Sequence, residues 1–113
     1  MKLSIIIPAY NEQSRIGRTL SQYLRFYDEI YRDNFELIVV LNGCRDNTLD
    51  VVKDFTLKYP QLKFVDIKEA IGKGGAVIEG FKLAQGDLIG FTDADNATIA
   101  PEFYKLIKNI IIR

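Results

Sequence analysis

Four short apolar runs, each followed by a longer stretch of helical periodicity, constrain the fold of this chain more than any other feature. Leu3 to Ile7 is apolar apart from Ser4 and is closed by Pro8. Phe35 to Leu41 is a second run, closed by Asn42-Gly43; Leu62 to Ile67 is a third and Leu88 to Thr92 a fourth. Runs of this length bounded by turn residues read as strands. After the first, Ile16, Leu20, Tyr23, Leu24, Tyr27 and Tyr31 recur at the spacing of one helical face. A second helix is predicted from Asp46 or Asn47, both good N-caps, through Val51, Val52, Phe55 and Tyr59, with Pro60 at its end. A third is predicted after Gly72-Lys73-Gly74-Gly75, with Val77, Phe81 and Ala84 on one face and Gly86 at the C-cap. Pro101 suits the first turn of a last helix reaching Ile112. Strands that are apolar throughout are buried on both faces. Joined by helices, they make a parallel sheet with helices above and below, connected by right-handed crossovers. A chain of 113 residues holds one such domain.

Composition removes several classes of function. There is no histidine, which excludes the Ser-His and Cys-His nucleophile pairs and most zinc chemistry. Acid–base work falls to carboxylates, Lys, Tyr or Cys44, and a metal ion would be a hard cation held by oxygen. Cys44 is the only cysteine, so no internal disulfide forms; it reads as a small bystander. Fifteen basic residues balance fifteen acidic ones without a basic block, so no nucleic-acid partner is expected. No run approaches the roughly 18 apolar residues of a membrane span, and the N-terminal run is too short for a signal segment. The expected location is cytoplasmic, either free or peripheral at the cytoplasmic membrane face.

Parallel sheets of this kind bind ligands at the carboxyl ends of their strands, so the residues just after each run are the candidates for function. The first strand leads into Pro8-Ala9-Tyr10-Asn11-Glu12 and the second into Asn42-Gly43-Cys44-Arg45-Asp46. The third leads toward Gly72-Lys73-Gly74-Gly75, and the fourth into Asp93-Ala94-Asp95-Asn96. Asp93 and Asp95 are the sharpest feature. Two carboxylates one residue apart can share a divalent cation and, through it, a diphosphate, and the small Ala94 leaves room for the ligand. The same residues also read as a polar turn in which Asp95 or Asn96 caps a helix. The glycine-rich stretch can offer backbone N–H groups to phosphate with Lys73 as counter-charge, or it is a flexible loop before a helix. It is not a Walker A loop, because Ile67 stands at the first glycine position and Gly74 comes directly after the lysine. Nor is it a dinucleotide fingerprint, because Val77 stands at the third glycine position.

Together these residues resemble the inverting glycosyltransferase family 2, over essentially the whole chain. Ile5 to Glu12 looks like the family's opening strand and its Pro-x-Tyr-Asn-Glu motif. Val39 to Thr48 stands where the family usually has Asp-Asp-Gly-Ser-x-Asp-x-Thr. Gly86-Asp87 with Phe91 to Asp95 looks like its D-x-D strand. Gly72 to Val77, with Gly80, is similar to the dolichol- or polyprenyl-phosphate hexose synthase branch. The resemblance implies a Rossmann-like GT-A fold, three-layered and truncated, with residues 1–113 as the part that binds a nucleotide-diphosphate sugar. It implies that Pro8, Ala9, Tyr10, Asn11, Glu12, Asn42 and Asp46 hold the nucleotide. It also implies that Lys73, Asp87 and Ala94 line the donor pocket, and that Asp93 and Asp95 bind Mg2+ or Mn2+ on the diphosphate. The donor would be UDP- or GDP-linked and the acceptor a lipid phosphate.

The sequence departs from the family at two places. Leu41 and Asn42 replace the usual aspartates, which leaves one uncharged polar group and one apolar group. The region that in the family supplies the acceptor site and the catalytic base is expected beyond Arg113, so no catalytic residue is assigned within the chain and the chain alone is expected to transfer no sugar. The unfinished sheet edge, or the apolar helix face around Ile107, Ile110 and Ile111, is expected to support a homodimer. Two other readings compete. A sugar-nucleotide pyrophosphorylase would need a glycine-rich basic loop after the first strand, where Pro8 to Glu12 stands. A receiver-like or other non-catalytic α/β module would need an acidic cluster there and an Asp after the third strand, whereas Asp66 falls within it.

Overall fold

The computed structural model describes residues 2–112, with side chains through Leu106. The elements come in the predicted order: β1 (Leu3–Ala9), α1 (Ile16–Tyr31), β2 (Phe35–Asn42), α2 (Thr48–Thr56), β3 (Leu62–Ile67), α3 (Gly72–Leu83), β4 (Leu88–Phe91) and α4 (Ala100–Ile112). All strand pairings are parallel, and the sheet runs β3-β2-β1-β4. Leu3 lies opposite both Phe35 and Leu88, which aligns the amino ends of three strands. Among the described residues no helix is long and apolar enough to cross a membrane. The expected self-association face at Ile107, Ile110 and Ile111 lies outside the described side chains.

Strand order and crossover handedness together place the helices. The steps from β1 to β2 to β3 run one way across the sheet and put α1 and α2 on one face. The return from β3 to β4 runs the other way and puts α3 on the opposite face. The direction reverses between β1 and β4, so the crevice at their carboxyl ends is the switch point where such sheets take ligands.

The two faces are packed differently. On the α1 face, Leu3, Ile5, Ile7, Phe35, Leu37, Val39 and Leu41 meet Ile16, Leu20, Tyr23, Leu24 and Tyr27, all but inaccessible to solvent. The opposite face is thinner: Ile6, Ile38 and Val40 meet Ala76 of α3. Here the expected helix face is corrected. Ala76 and Gly80, not Val77 and Phe81, are the residues of α3 that are buried, and Phe81 is 44 % exposed. A β-carbon on Gly80 would stand 2.5 Å from Ile6 Cγ2, so the helix approaches the sheet through its smallest residues. α3 also starts at Gly72, so the glycines form its first turn and not a loop before it. The expected C-cap role of Gly86 is likewise corrected: the cap is Ala84, and Gly86 is instead pressed against β1, where a β-carbon would meet Ser4 Oγ at 2.5 Å.

Ser4 and Glu36 interrupt the apolar runs at the amino end of the sheet, and both are buried. Glu36 accepts hydrogen bonds from the Ser4 hydroxyl (2.6 Å), the Gln85 N–H (2.6 Å) and the Lys63 ammonium (2.7 Å). Ser4 Oγ in turn accepts the Gly86 N–H at 2.8 Å. Burial pushes the Glu36 carboxyl up, but these bonds and the Lys63 charge outweigh it and hold the group below the usual glutamate range. The turn between α3 and β4 is thereby fastened to the sheet.

Candidate functional site

The carboxyl edge is built from strands of unequal length. β4 ends at Phe91, opposite Ile6, while β1 continues to Ala9. The Thr92 N–H extends the ladder to the Ile6 carbonyl at 2.9 Å, and the chain then turns across the end of β1. Pro8 and Ala9 from β1, Tyr10 and Glu12 just after it, Asn42 from β2, Gly72 and Lys73 from α3, and Asp93, Ala94 and Asp95 after β4 line one cavity of about 400 Å³. That size suits a small-molecule ligand. Segments up to 87 positions apart in sequence thus converge at the switch point.

Three groups on α1 hold the segment after β4 in place. The Thr19 hydroxyl donates to the Ala94 carbonyl at 2.6 Å, the Tyr23 hydroxyl to the Thr98 carbonyl, and the Tyr27 hydroxyl to the Ala100 carbonyl at 3.2 Å. These residues are four apart, so they form one stripe along the helix. Burial raises both phenols above the ordinary tyrosine value, and they remain protonated donors; for Tyr23 the Thr92 hydroxyl partly opposes that rise, and for Tyr27 neighbouring tyrosines add to it. The sequence pattern put Tyr23 and Tyr27 on one helical face, and that face is buried, but it missed their carbonyl partners and missed Thr19 altogether. The available signal was the repeat of hydroxyl-bearing residues on an otherwise apolar stripe.

The predicted residues divide into those that line the cavity and those that stand behind it. Tyr10 is 56 % exposed at the rim, with its ring free to meet a ligand. The carboxylate of Glu12 is engaged by Arg15, Nε to Oε2 at 2.8 Å. Asn42 is buried, and its carbonyl oxygen accepts the Ile71 N–H at 2.7 Å, which ties the end of β2 to the approach to α3. Ala70 also lines the cavity and carried no sequence signal. Asn11, Asp46 and Asp87, expected around the donor, do not line it, and each has a structural reason. Asn11 Oδ1 accepts the Arg45 N–H at 2.8 Å. Asp46 accepts the Gln13 N–H at 3.2 Å and the Thr48 N–H at 3.1 Å, together with the Thr48 hydroxyl, so it caps α2 from one position before Asn47. Burial alone would raise the Asp46 carboxyl, and these donors more than offset it, holding it below the usual aspartate range. Asp87 accepts the Lys2 N–H at 2.9 Å at the amino end of the sheet, with the whole of β4 between it and Asp93. Leu41 faces the α1 core and not the cavity.

Asp93 and Asp95 both line the cavity. Asp93 is half-exposed and paired with Lys73, Nζ to Oδ1 at 2.6 Å; the same ammonium lies 6.0 Å from the centre of the Phe91 ring. Asp95 spends one oxygen on the Ala97 N–H at 3.0 Å. The donors are hard oxygens, which suit Mg2+ or Mn2+. Among the described residues, however, no group of three His, Cys, Asp or Glu side chains could hold a metal ion. Two carboxylates fit a cation that completes its coordination with phosphate and water, the usual arrangement for Mg2+.

The chain is similar in sequence and in fold to known glycosyltransferases. A dolichyl-phosphate beta-glucosyltransferase of Saccharomyces cerevisiae is 38% identical over 113 residues, covering 96% of this chain and 34% of that protein. Dolichyl-phosphate beta-glucosyltransferase ALG5C of Trichomonas vaginalis is 36% identical over 111 residues, covering 95% of this chain and 33% of that protein. The chain therefore spans about a third of the length of these relatives. Among solved structures, S. aureus TarS 1-349 in complex with UDP superposes with a TM-score of 0.82 at 28% identity, covering 98% of this chain and 32% of that one. The mannosyltransferase PcManGT from Pyrobaculum calidifontis, in complex with GDP-Man and Mn2+, superposes with a TM-score of 0.75 at 29% identity, covering 83% and 27%. Residues 4–111 match the sequence profile of Glycosyl transferase family 2, and the chain belongs to that family.

Proposed function

We propose that this chain is the nucleotide-sugar-binding part of a hexosyltransferase, with the donor's diphosphate at Asp93, Asp95 and Lys73. The observation that carries this reading is the convergence of Asp93-Ala94-Asp95 with Pro8, Ala9, Tyr10 and Lys73 around one cavity at the switch point. Tyr10 and Asn42 lie on the same wall system and would meet the nucleoside. A divalent cation held by Asp93 and Asp95 would supply charge neutralisation of the diphosphate leaving group. Lys73 adds a second positive charge on the same group, and Thr19 and Tyr23 keep the acidic segment at a set distance from the end of β1. The acceptor proposed is a polyprenyl phosphate, in line with the dolichyl-phosphate specificity in the names of the relatives.

The isolated chain is proposed to bind donor without transferring sugar. The carboxylates that line the cavity are Glu12, Asp93 and Asp95. The first is paired with Arg15 and the other two are assigned to cation and diphosphate. A hydroxyl acceptor would need a base, and none of the three is left for it; a phosphate acceptor, already ionised, needs instead to be held in line with the bond being broken, and Lys73, the cation lining the cavity, is already assigned to the donor's diphosphate. The test is thermal unfolding with UDP or GDP, with and without Mn2+. Wild type should be stabilised by one nucleotide more in Mn2+ than without it. The Asp93→Asn, Asp95→Asn double variant should lose the metal increment while keeping its circular dichroism spectrum. Absence of any metal-dependent shift with either nucleotide would overturn the reading, and sugar transfer by the 113-residue chain would overturn the claim of inactivity.

A further inference from the structure

We propose that Lys73 is an internal stand-in for the divalent cation: its ammonium neutralises Asp93 until metal and diphosphate arrive together. This rests on the assignment of Asp93 and Asp95 to a cation and extends it. The Lys73 ammonium lies 2.6 Å from Asp93 Oδ1, inside the cavity that holds both aspartates. Three carboxylates line that cavity. Glu12 already has Arg15, and Asp95 is partly satisfied by the Ala97 N–H. Among the described residues Asp93 has Lys73 as its one charged partner, and the two side chains are 47 % and 58 % exposed, so the pair can open at little cost. A cation approaching Asp93 without a nucleotide meets that ammonium and must displace it into water. A cation arriving with a diphosphate gives the ammonium a new anionic partner, so the displaced charge is stabilised. One side chain therefore couples the two ligands. It weakens metal binding when the metal comes alone and strengthens nucleotide binding once the metal is seated. By linkage the coupling is the same read from either ligand.

The coupling is measured by titrating the 113-residue chain with Mn2+ and following the free-ion electron paramagnetic resonance signal, without nucleotide and with saturating UDP or GDP. In Lys73→Met, Mn2+ alone should bind about three- to five-fold more tightly than in wild type, the worth of an exposed ion pair. The factor by which nucleotide tightens Mn2+ should fall accordingly. Lys73→Arg, which retains a cation, should stay near wild type in the absence of nucleotide. Both substitutions are on an exposed first turn of α3, and circular dichroism checks that the helix is kept. Equal Mn2+ affinity in Lys73→Met and wild type, with binding abolished by Asp93→Asn, would overturn the stand-in role while leaving the metal assignment intact. Binding insensitive to Asp93→Asn, or no binding even with nucleotide, would overturn the metal assignment and the proposal with it.

Discussion

The two ends of this sheet each hold a buried or half-buried carboxylate beside a lysine, and they use the pair in opposite ways. At the amino end Glu36 is 1 % exposed and accepts from a hydroxyl, a backbone N–H and Lys63. Each of these donors is supplied by the protein. At the carboxyl end Asp93 is half-exposed, has Lys73 as its ion-pair partner and borders a cavity of about 400 Å³. A carboxylate saturated by its own chain stabilises the fold, whereas one left under-bonded at a strand end is available to a ligand. Residue type does not separate the two; the count of committed hydrogen bonds does.

The sharpest way to break this contrast is at Glu36. Glu36→Ala should lower unfolding stability by about 3 kcal/mol, because it strands the Gln85 N–H and the Ser4 hydroxyl in a buried place; Lys63, half in water, adds little. The urea midpoint should fall with the slope unchanged. The carboxyl is held below its ordinary value of 4.5 in the folded state. Its contribution is therefore present above pH 4.5 and is lost as the pH falls through the lower folded value. Glu36→Gln should remove that part of the acid sensitivity, and a Gln variant with the wild-type acid profile would show that Glu36 is not the saturated group described.

At the other end, Asn42→Ala should weaken nucleotide binding by about 1–3 kcal/mol in calorimetric titration, since it frees the Ile71 N–H and the approach to α3. Asn42→Asp, which can still accept that N–H, should bind within a few-fold of wild type. Unchanged affinity in the Ala variant would place Asn42 on the structural side of the comparison with Glu36. Tyr23→Phe leaves the Thr98 carbonyl without its donor and should cost about 1 kcal/mol, visible as faster amide exchange in the segment after β4. The smallest effect is expected at the aspartates themselves: Asp93→Asn with Asp95→Asn should change stability without ligand by no more than about 0.5 kcal/mol. A loss as large as that of Glu36→Ala would mean that the carboxyl edge is structural too.

Much of the molecule is legible from its residues alone, because the relevant physics is local. Short apolar, β-branched runs such as Ile5-Ile6-Ile7 and Ile38-Val39-Val40, bounded by turn residues, read as strands buried on both faces, and the stripe from Ile16 to Tyr31 reads as a helix lying on them. That alternation determines a parallel three-layer sheet, and the rule that ligands sit at strand carboxyl ends then selects Pro8 to Glu12, Lys73 and Asp93 to Asp95. The order β3-β2-β1-β4 is not written in any local pattern. It brings β4 beside β1 and so decides that Asp93 faces Pro8 and Lys73, while Asp87 ends at the opposite edge. The tertiary structure also decides which polar groups are already spent. Asn11 and Asp46 carry the family's motif types but give their oxygens to backbone N–H groups 34 and 2 positions away, and Thr19 finds its acceptor 75 positions on. Hydrophobic periodicity is set by neighbours along the chain, whereas the partner of a hydrogen bond is set by what folding brings within about 3 Å, and only the assembled sheet supplies that.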